Sequence, residues 1–178
     1  MPVESSTIRT PRLTLTPLDP DDADAMVDVL GDERMHEFTG GHPLALEELR
    51  SRYRRLAAGR SAAGTELWLN WIVRTLGDGR PVGAMQATVS ADGALADVAW
   101  EIGVPWQGRG FASEAAAAVV AWLVEHDVSQ VRAFIHPDHD ASAGVAARAG
   151  LEPTSERVVG EVVWRWSAGD GLTDRAQP

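Results

Sequence analysis

The amino-acid sequence predicts one domain of the α+β class, an antiparallel meander followed by a β-α-β-α-β tail. Three observations carry this. The β-type runs 67–74, 82–89 and 95–104 are joined only by the turns Gly77-Asp78-Gly79-Arg80-Pro81 and Ala91-Asp92-Gly93, short enough for hairpins. The apolar period then changes from two to that of a helix at Phe111, with Ala112, Ala115, Ala116, Val119 and Leu123 on one face. No repeat, low-complexity tract or long linker divides the 178 residues, whose 44% hydrophobic content suffices for one core.

The elements follow in order. Residues 12–18 alternate as a first strand. Asp19-Pro20-Asp21-Asp22 starts a helix, with an acidic cap and proline at the first position; Ala23, Met26, Val27 and Leu30 face inward and Gly31 ends it. A second helix over 44–58 turns Leu46, Leu49, Tyr53 and Leu56 inward. Its Arg50, Arg52, Arg54 and Arg55 read as a solvated face, the alternative being a place near phosphates or an acidic substrate. After the meander come a helix from Phe111 to near His126, a strand at 131–136, and a helix at 142–149 stopped by Gly150. Residues 152–167 supply the last one or two strands. Residues 1–6 and 169–178 read as flexible ends, leaving 7–168 as the domain.

Composition narrows the function. No run of about 18 apolar residues exists, and the N-terminus lacks the parts of a signal peptide. With no cysteine there are no disulfides or thiolate sites, which suits a cytoplasmic setting. A formal net charge of −10 argues against nucleic-acid binding and favours cationic partners such as amines. No set of histidines and acids has metal-ligand spacing. His36 and His42 flank Phe38-Thr39-Gly40-Gly41 and are candidates for binding substrate, or are simply solvated; His126 suits a helix C-terminus. Trp68, Trp71, Trp164 and Trp166 lie on strands as core residues, or as an aromatic wall for a cationic amine.

The most informative stretch runs from Trp100 to Glu114. Val98, Trp100, Ile102 and Val104 alternate as a strand, Gly108 and Gly110 allow a sharp turn, and a helix begins at once. Loop N–H groups and the first N–H groups of that helix converge where the helix dipole favours an anion, which makes a phosphate cradle. The bland alternative is a glycine turn that only joins strand to helix. No Gly-Lys-Ser/Thr follows, so it is not a P-loop, and a dinucleotide fingerprint lacks its third glycine and later acid.

Gln107-Gly108-Arg109-Gly110-Phe111-Ala112 matches Gln/Arg-x-x-Gly-x-Gly/Ala and resembles the pyrophosphate loop of the GCN5-related N-acetyltransferases. Thr10-Pro11-Arg12-Leu13-Thr14-Leu15, Ala99-Trp100-Glu101-Ile102-Gly103, and His136-Pro137-Asp138-His139-Asp140-Ala141-Ser142 with Val145 and Arg148-Ala149-Gly150-Leu151 are similar to segments of its RimJ/RimL-type branch. The resemblance covers nearly the whole chain. It implies a mixed, mostly antiparallel sheet of six or seven strands, splayed between the fourth and fifth, with about four helices. It implies acetyl-CoA as co-substrate, its arm pairing with the backbone of Ile102, Gly103 and Val104. Gln107, Gly108, Arg109, Gly110, Phe111, Ala112 and Ser113 would hold the pyrophosphate. His139 stands where the family has an asparagine that contacts the arm. A homodimer is common among similar proteins.

The implied reaction is direct attack of a primary amine, a protein N-terminal α-amine or a small-molecule amine, on the thioester. It needs a base, an oxyanion donor and a proton for the thiolate. Glu101 is the candidate base, set by strand alternation on the face opposite Trp100 and Ile102; its bland reading is a surface glutamate. Val104 N–H is the candidate oxyanion donor. Ser142 is the candidate donor to sulfur, or else a helix cap. The family's usual tyrosine is missing, because the only tyrosine is Tyr53, in the second helix. The rival class is a non-catalytic acyl-CoA-binding sensory or scaffolding module.

Overall fold

Leu13 and Leu15 are buried while Thr14 and Thr16 face outward, and most of the longer strands repeat this alternation, so each gives an apolar side to the core. The computed structural model describes residues 4–168. Its strands are β1 (Ile8–Arg9), β2 (Leu13–Pro17), β3 (Glu66–Thr75), β4 (Pro81–Ser90), β5 (Leu95–Ile102), β6 (Gln130–Ile135), β7 (Glu152–Val158) and β8 (Glu161–Ser167). The α-helices are α1 (Ala23–Val29), α2 (Leu46–Leu56), α3 (Phe111–Glu125) and α4 (Asp140–Arg148). The strands form one sheet in the order β1-β2-β3-β4-β5-β6-β8-β7. Every neighbouring pair is antiparallel except β5 and β6, which α3 connects as a crossover must.

Two cores sandwich the sheet. On one side Trp71, Met85, Val98 and Ile102 pack against Ala115, Ala116, Val119 and Leu123 of α3 and Val145 and Ala146 of α4. On the other, Ile72 meets Ala23 and Met26 of α1 and Leu49 and Tyr53 of α2.

The sheet has eight strands where the sequence suggested six or seven. β1 is only two residues long, too short to show a period. The last strand region divides into β7 and β8 through a two-residue loop, Val159-Gly160, with φ of 50° and 86°. β5 ends at Ile102 instead of reaching Val104, because Pro105 has no N–H and residues Val104–Trp106 close a 3-10 turn. Ser6, read as part of a free end, is held: its carbonyl accepts from Trp71 Nε1 at 2.9 Å and its hydroxyl from Trp122 Nε1 at 3.2 Å. Residues 1–3 and 169–178, the rest of the ends read as flexible, lie outside the described residues. No helix among the described residues is long and apolar enough to cross a membrane.

Candidate functional site

The ladder between β5 and β6 is the shortest join in the middle of the sheet. It pairs Leu95 with Gln130, Ala96 with Val131 and Asp97 with Arg132, and then stops. β5 continues on β4 as far as Ile102, and β6 continues on β8 as far as Ile135. The two strands therefore part after Asp97, leaving facing main-chain groups that an extended, amide-bearing ligand can pair with like an added strand.

Three backbones at this opening have different fates. The Gly103 N–H donates to Val82 O at 2.9 Å, and its carbonyl accepts from the Trp106 N–H at 2.9 Å, which leaves one lone pair of that carbonyl to a ligand. Ile102 is opposite Gly83 in β4, and its carbonyl accepts from Gln107 Nε2 at 2.8 Å. Gln107 thus ties the loop to the strand end through its side chain. The Val104 N–H has no acceptor among the described residues. Gly103 has a packing reason to be glycine: a Cβ there would stand 2.7 Å from the Val29 carbonyl and 2.9 Å from the Trp106 ring.

The glycine loop follows. Gly108 and Gly110 have φ of 72° and 79°, the left-handed region that glycine enters without strain. α3 has no side-chain cap. Among the described residues, the N–H groups of Gly108, Arg109, Gly110, Phe111, Ala112 and Ser113 donate to no protein acceptor. Such a row of free N–H groups at the start of a 15-residue helix fits a diphosphate. Arg109 has an exposed side chain, and its carbonyl accepts from Arg12 Nη1 at 2.9 Å. Because a trans peptide sets C=O and N–H in opposite directions, this bond turns the Gly110 N–H away from Arg12.

Arg12 was read only as part of a strand motif; the structure gives it a partner. The Glu114 carboxylate, in the first turn of α3, takes Arg12 Nε at 2.6 Å, the Arg12 N–H at 2.9 Å and the Thr10 hydroxyl at 2.6 Å. Burial would raise the Glu114 carboxyl, but the Thr10 and Arg12 hydrogen bonds and the Arg12 charge outweigh it and hold the group below its usual range.

On the α1–α2 side of the opening lies a cleft lined by Val27, Leu30, Met35, His36, Leu44, Leu49, Arg52 and Glu101. Glu101 stands in the row Ile72–Ala84–Glu101 across β3, β4 and β5, on the face opposite Trp100. It is half-buried and makes no hydrogen bond or ion pair among the described residues. Arg52 turns into this cleft, whereas Arg50 pairs with Asp24 and Glu47 at the surface and Arg54 and Arg55 are exposed. The arginine face of the second helix is thus not uniform. His36 reaches the cleft and approaches the Gly40 carbonyl at 3.3 Å, while His42 is exposed.

On the other face, Ser142 of α4 accepts from Trp100 Nε1 at 3.3 Å. Ser142 is the third residue of α4 and not its cap, which is His139. With one lone pair taken by the indole, the Ser142 proton remains free to be donated. The His139 ring stacks on Phe38 with centroids 4.3 Å apart. Burial first, and then nearby His136, depress the His139 pKa, which favours the uncharged ring. His126 is stacked on Trp122 at 3.9 Å and meets the Trp122 carbonyl at 2.7 Å, at the end of α3. Trp68, Trp164 and Trp166 are half-buried on strands, and Trp71 is buried. None of the four lines the Glu101 cleft.

A parted parallel strand pair, a left-handed glycine loop and an uncapped helix behind it define a class of coenzyme-binding acyltransferase domains. The profile of the acetyltransferase (GNAT) domain family matches residues 12–152. The chain belongs to this family: it is an acetyltransferase, and acetyl-CoA is its co-substrate. Among solved structures, an acetyltransferase from Agrobacterium tumefaciens str. C58 is 26% identical with a TM-score of 0.70, over 93% of this chain and 96% of that one. RimL, a ribosomal L7/L12 alpha-N-protein acetyltransferase in complex with coenzyme A, is 16% identical with a TM-score of 0.76, over 91% and 98%. AAC(6')-Ib in complex with parmomycin and acetyl-CoA is 17% identical with a TM-score of 0.73, over 93% and 99%. At such identities the last two show a shared fold. A search of curated proteins found no match.

Proposed function

We propose that this enzyme, with residues 7–168 as its domain, transfers the acetyl group of acetyl-CoA to a primary amine, with Glu101 as base. The observation that carries the reading is the free Glu101 carboxylate, in a cleft whose β5 wall lies beyond Asp97, the last residue of β5 paired with β6. The N–H groups of Gly108 to Ser113 hold the diphosphate, and the pantetheine arm runs along the opening beside Ile102. Trp100 and Glu101 project to opposite faces of β5, so donor and acceptor enter from different sides and meet at the opening.

The steps then follow from residue positions. Glu101 takes a proton from the ammonium, directly or through one water. The amine nitrogen bonds to the thioester carbonyl carbon while the Val104 N–H donates to the oxygen. The C–S bond breaks as the amide carbonyl re-forms; the surplus proton on the newly bonded nitrogen passes, directly or through water, to the departing thiolate, to which Ser142 donates a hydrogen bond. A protein α-amine, with a reference pKa of about 7.7–8.0, needs less from such a base than a lysine-like amine near 10.4. The RimJ/RimL-like segments favour an α-amine. A small-molecule amine suits the mostly apolar cleft equally well, and neighbours of both kinds share the fold.

Thiol release from acetyl-CoA with a panel of free-amine peptides and small amines tests the reading. Glu101→Gln is expected to lower kcat by about 10²–10⁴-fold, the range for a general base, with unchanged coenzyme affinity. A variant as fast as wild type would remove Glu101 from the mechanism.

A further inference from the structure

We propose that Arg52 selects the acceptor: the amine that this enzyme acetylates carries a carboxylate on the same apolar molecule, and the Arg52 guanidinium holds that carboxylate while Glu101 faces the amine. The inference rests on the Glu101 cleft being the acceptor site, and it names the class of acceptor.

Arg52 comes from α2 and is half-buried on the wall of the cleft that also holds Glu101. It makes no hydrogen bond or ion pair among the described residues. The other half-buried arginines among these residues, Arg50, Arg74, Arg132 and Arg165, each hold a carboxylate. Arg52 holds none, and a charge drawn partly out of water without a partner costs free energy. The acids of its own helix are turned elsewhere. Glu47 pairs with Arg50, and Glu48, one turn before Arg52, takes the Ala45 N–H at 2.9 Å. Arg52 and Glu101 make no ion pair with each other either. One cleft therefore presents an unpaired cation and an unpaired anion side by side on its wall.

The rest of the wall is mostly apolar, with Val27, Leu30, Leu44 and Leu49, and Arg52 is its one guanidinium among the described residues. An acceptor with an amine and a carboxylate on an apolar body leaves no charge there uncompensated. A plain amine would satisfy Glu101 and leave the guanidinium as a like charge in the same cleft. The formal net charge of −10 draws cations to the surface as a whole, but inside the cleft Arg52 acts against them. The planar fork of arginine matches a carboxylate with two parallel hydrogen bonds. One guanidinium also balances one carboxylate, whereas a phosphate monoester, at roughly −1.5 to −2, would keep part of its charge. Arg52 binds and orients, and forms no covalent bond. A free amino acid and a peptide with an acidic residue near its N-terminus share this chemistry.

Thiol release from acetyl-CoA is measured with matched acceptors: leucine against leucinamide, phenylalanine against phenethylamine, and the C-terminally amidated tripeptides Ala-Asp-Leu against Ala-Asn-Leu. In at least one pair the carboxylated member is expected to have the higher kcat/KM by about 10–100-fold, the scale of hydrogen bonds to a charged group. The responding pair tells a free amino acid from an acidic peptide. Arg52→Gln should bring that ratio close to one, mainly through KM, and Arg52→Lys should restore part of it. A merely structural Arg52 would lower both members together and keep their ratio. Equal rates within every pair overturn the proposal, as does a ratio that Arg52→Gln leaves intact. A loss of coenzyme A affinity in Arg52→Gln, read by calorimetry with the ratio intact, would put Arg52 at the coenzyme phosphates and also overturn it. Transfer confined to carboxylate-free amines defeats this proposal alone. No transfer to any amine defeats the acetyl-transfer reading and this proposal with it. A full rate in Glu101→Gln removes the base, and the ratio within the pairs still decides Arg52.

Discussion

Arg12 Nε and Glu114 Oε2 meet at 2.6 Å, joining the start of β2 to the first turn of α3 across 102 residues. Half of the Arg12 side chain is open to solvent, so as an ion pair the contact adds little stability in water. Its effect is geometric. The same guanidinium holds the Arg109 carbonyl and lies 5.0 Å over the Phe111 ring, and so fixes both ends of the glycine loop. We expect Arg12→Ala and Glu114→Gln each to weaken acetyl-CoA binding about tenfold, the scale of one hydrogen bond to a charged group. kcat at saturating coenzyme should change little. Titration calorimetry with coenzyme A checks this, and unchanged affinity in both variants would dismiss the clamp.

The clamp also has a pH dependence of fixed sign. The folded-state pKa of Glu114 lies below its unfolded value, so the folded protein binds fewer protons there than the unfolded chain. The stabilisation is complete above the unfolded value, about 4.3, and is lost as pH falls through the folded value. Thermal melts between pH 3 and 7 should show a steeper acid-side decline for wild type than for Glu114→Gln. Parallel curves would mean that Glu114 does not carry the effect.

Much of this was legible in the sequence because period and turn chemistry agree over long stretches. The meander shows itself in Gly77-Asp78-Gly79 and Ala91-Asp92-Gly93, and α3 in its alanine-rich face. What stayed hidden was set by tertiary contacts or broke local rules. β1 is too short to have a pattern. Val159-Gly160 carries a β-branched residue where a hairpin turn ordinarily has Asn or Asp, so the choice between one and two strands over 152–167 stayed open until β7 and β8 were seen. Gly103 entered only through the resemblance, and the close approach of Val29 and Trp106 that requires glycine there is a tertiary contact with no local pattern. Arg52 and Tyr53 are adjacent in sequence, and helix period alone could not say that one turns into the Glu101 cleft while the other is buried with its hydroxyl unpaired.

Gly83 sets how closely β4 and β5 approach beside Glu101. A Cβ there would stand 2.1 Å from the Glu101 carbonyl oxygen and 2.6 Å from Ile102 Cδ1. The Ile102 methyl can swing aside, but the Glu101 carbonyl is backbone and cannot yield without parting the strands. We expect Gly83→Ala to destabilise by about 1–3 kcal/mol or more, the cost of overpacking, and to lower kcat because Glu101 moves. Gly77→Ala is the control: it has open space around it and no positive φ, and should fall within about 0.5 kcal/mol of wild type. Denaturant melts of the two variants decide the point, and equal stability would sink the close-approach account.

Val159 is 99% exposed at the tip of the β7–β8 hairpin, with φ of 50°. For a β-branched residue that backbone is strained, because Cβ crowds the carbonyl oxygen; L-residues other than Gly, Asn and Asp pay roughly 1–2 kcal/mol there. The two central residues both have positive φ, which is the type I′ turn that selects Asn-Gly. Gly160 already fits, and only Val159 does not. Replacing it removes no buried contact, so Val159→Asn should raise stability by about 0.5–1 kcal/mol. The tip joins the last two strands of the sheet order, two and three places from β5, and Val159 lines no part of the Glu101 cleft, so kcat and coenzyme affinity should stay at wild-type values. Thermal melts paired with the thiol-release assay test both halves. A variant less stable than wild type would show that the side chain of Val159 makes a contact that outweighs the backbone strain.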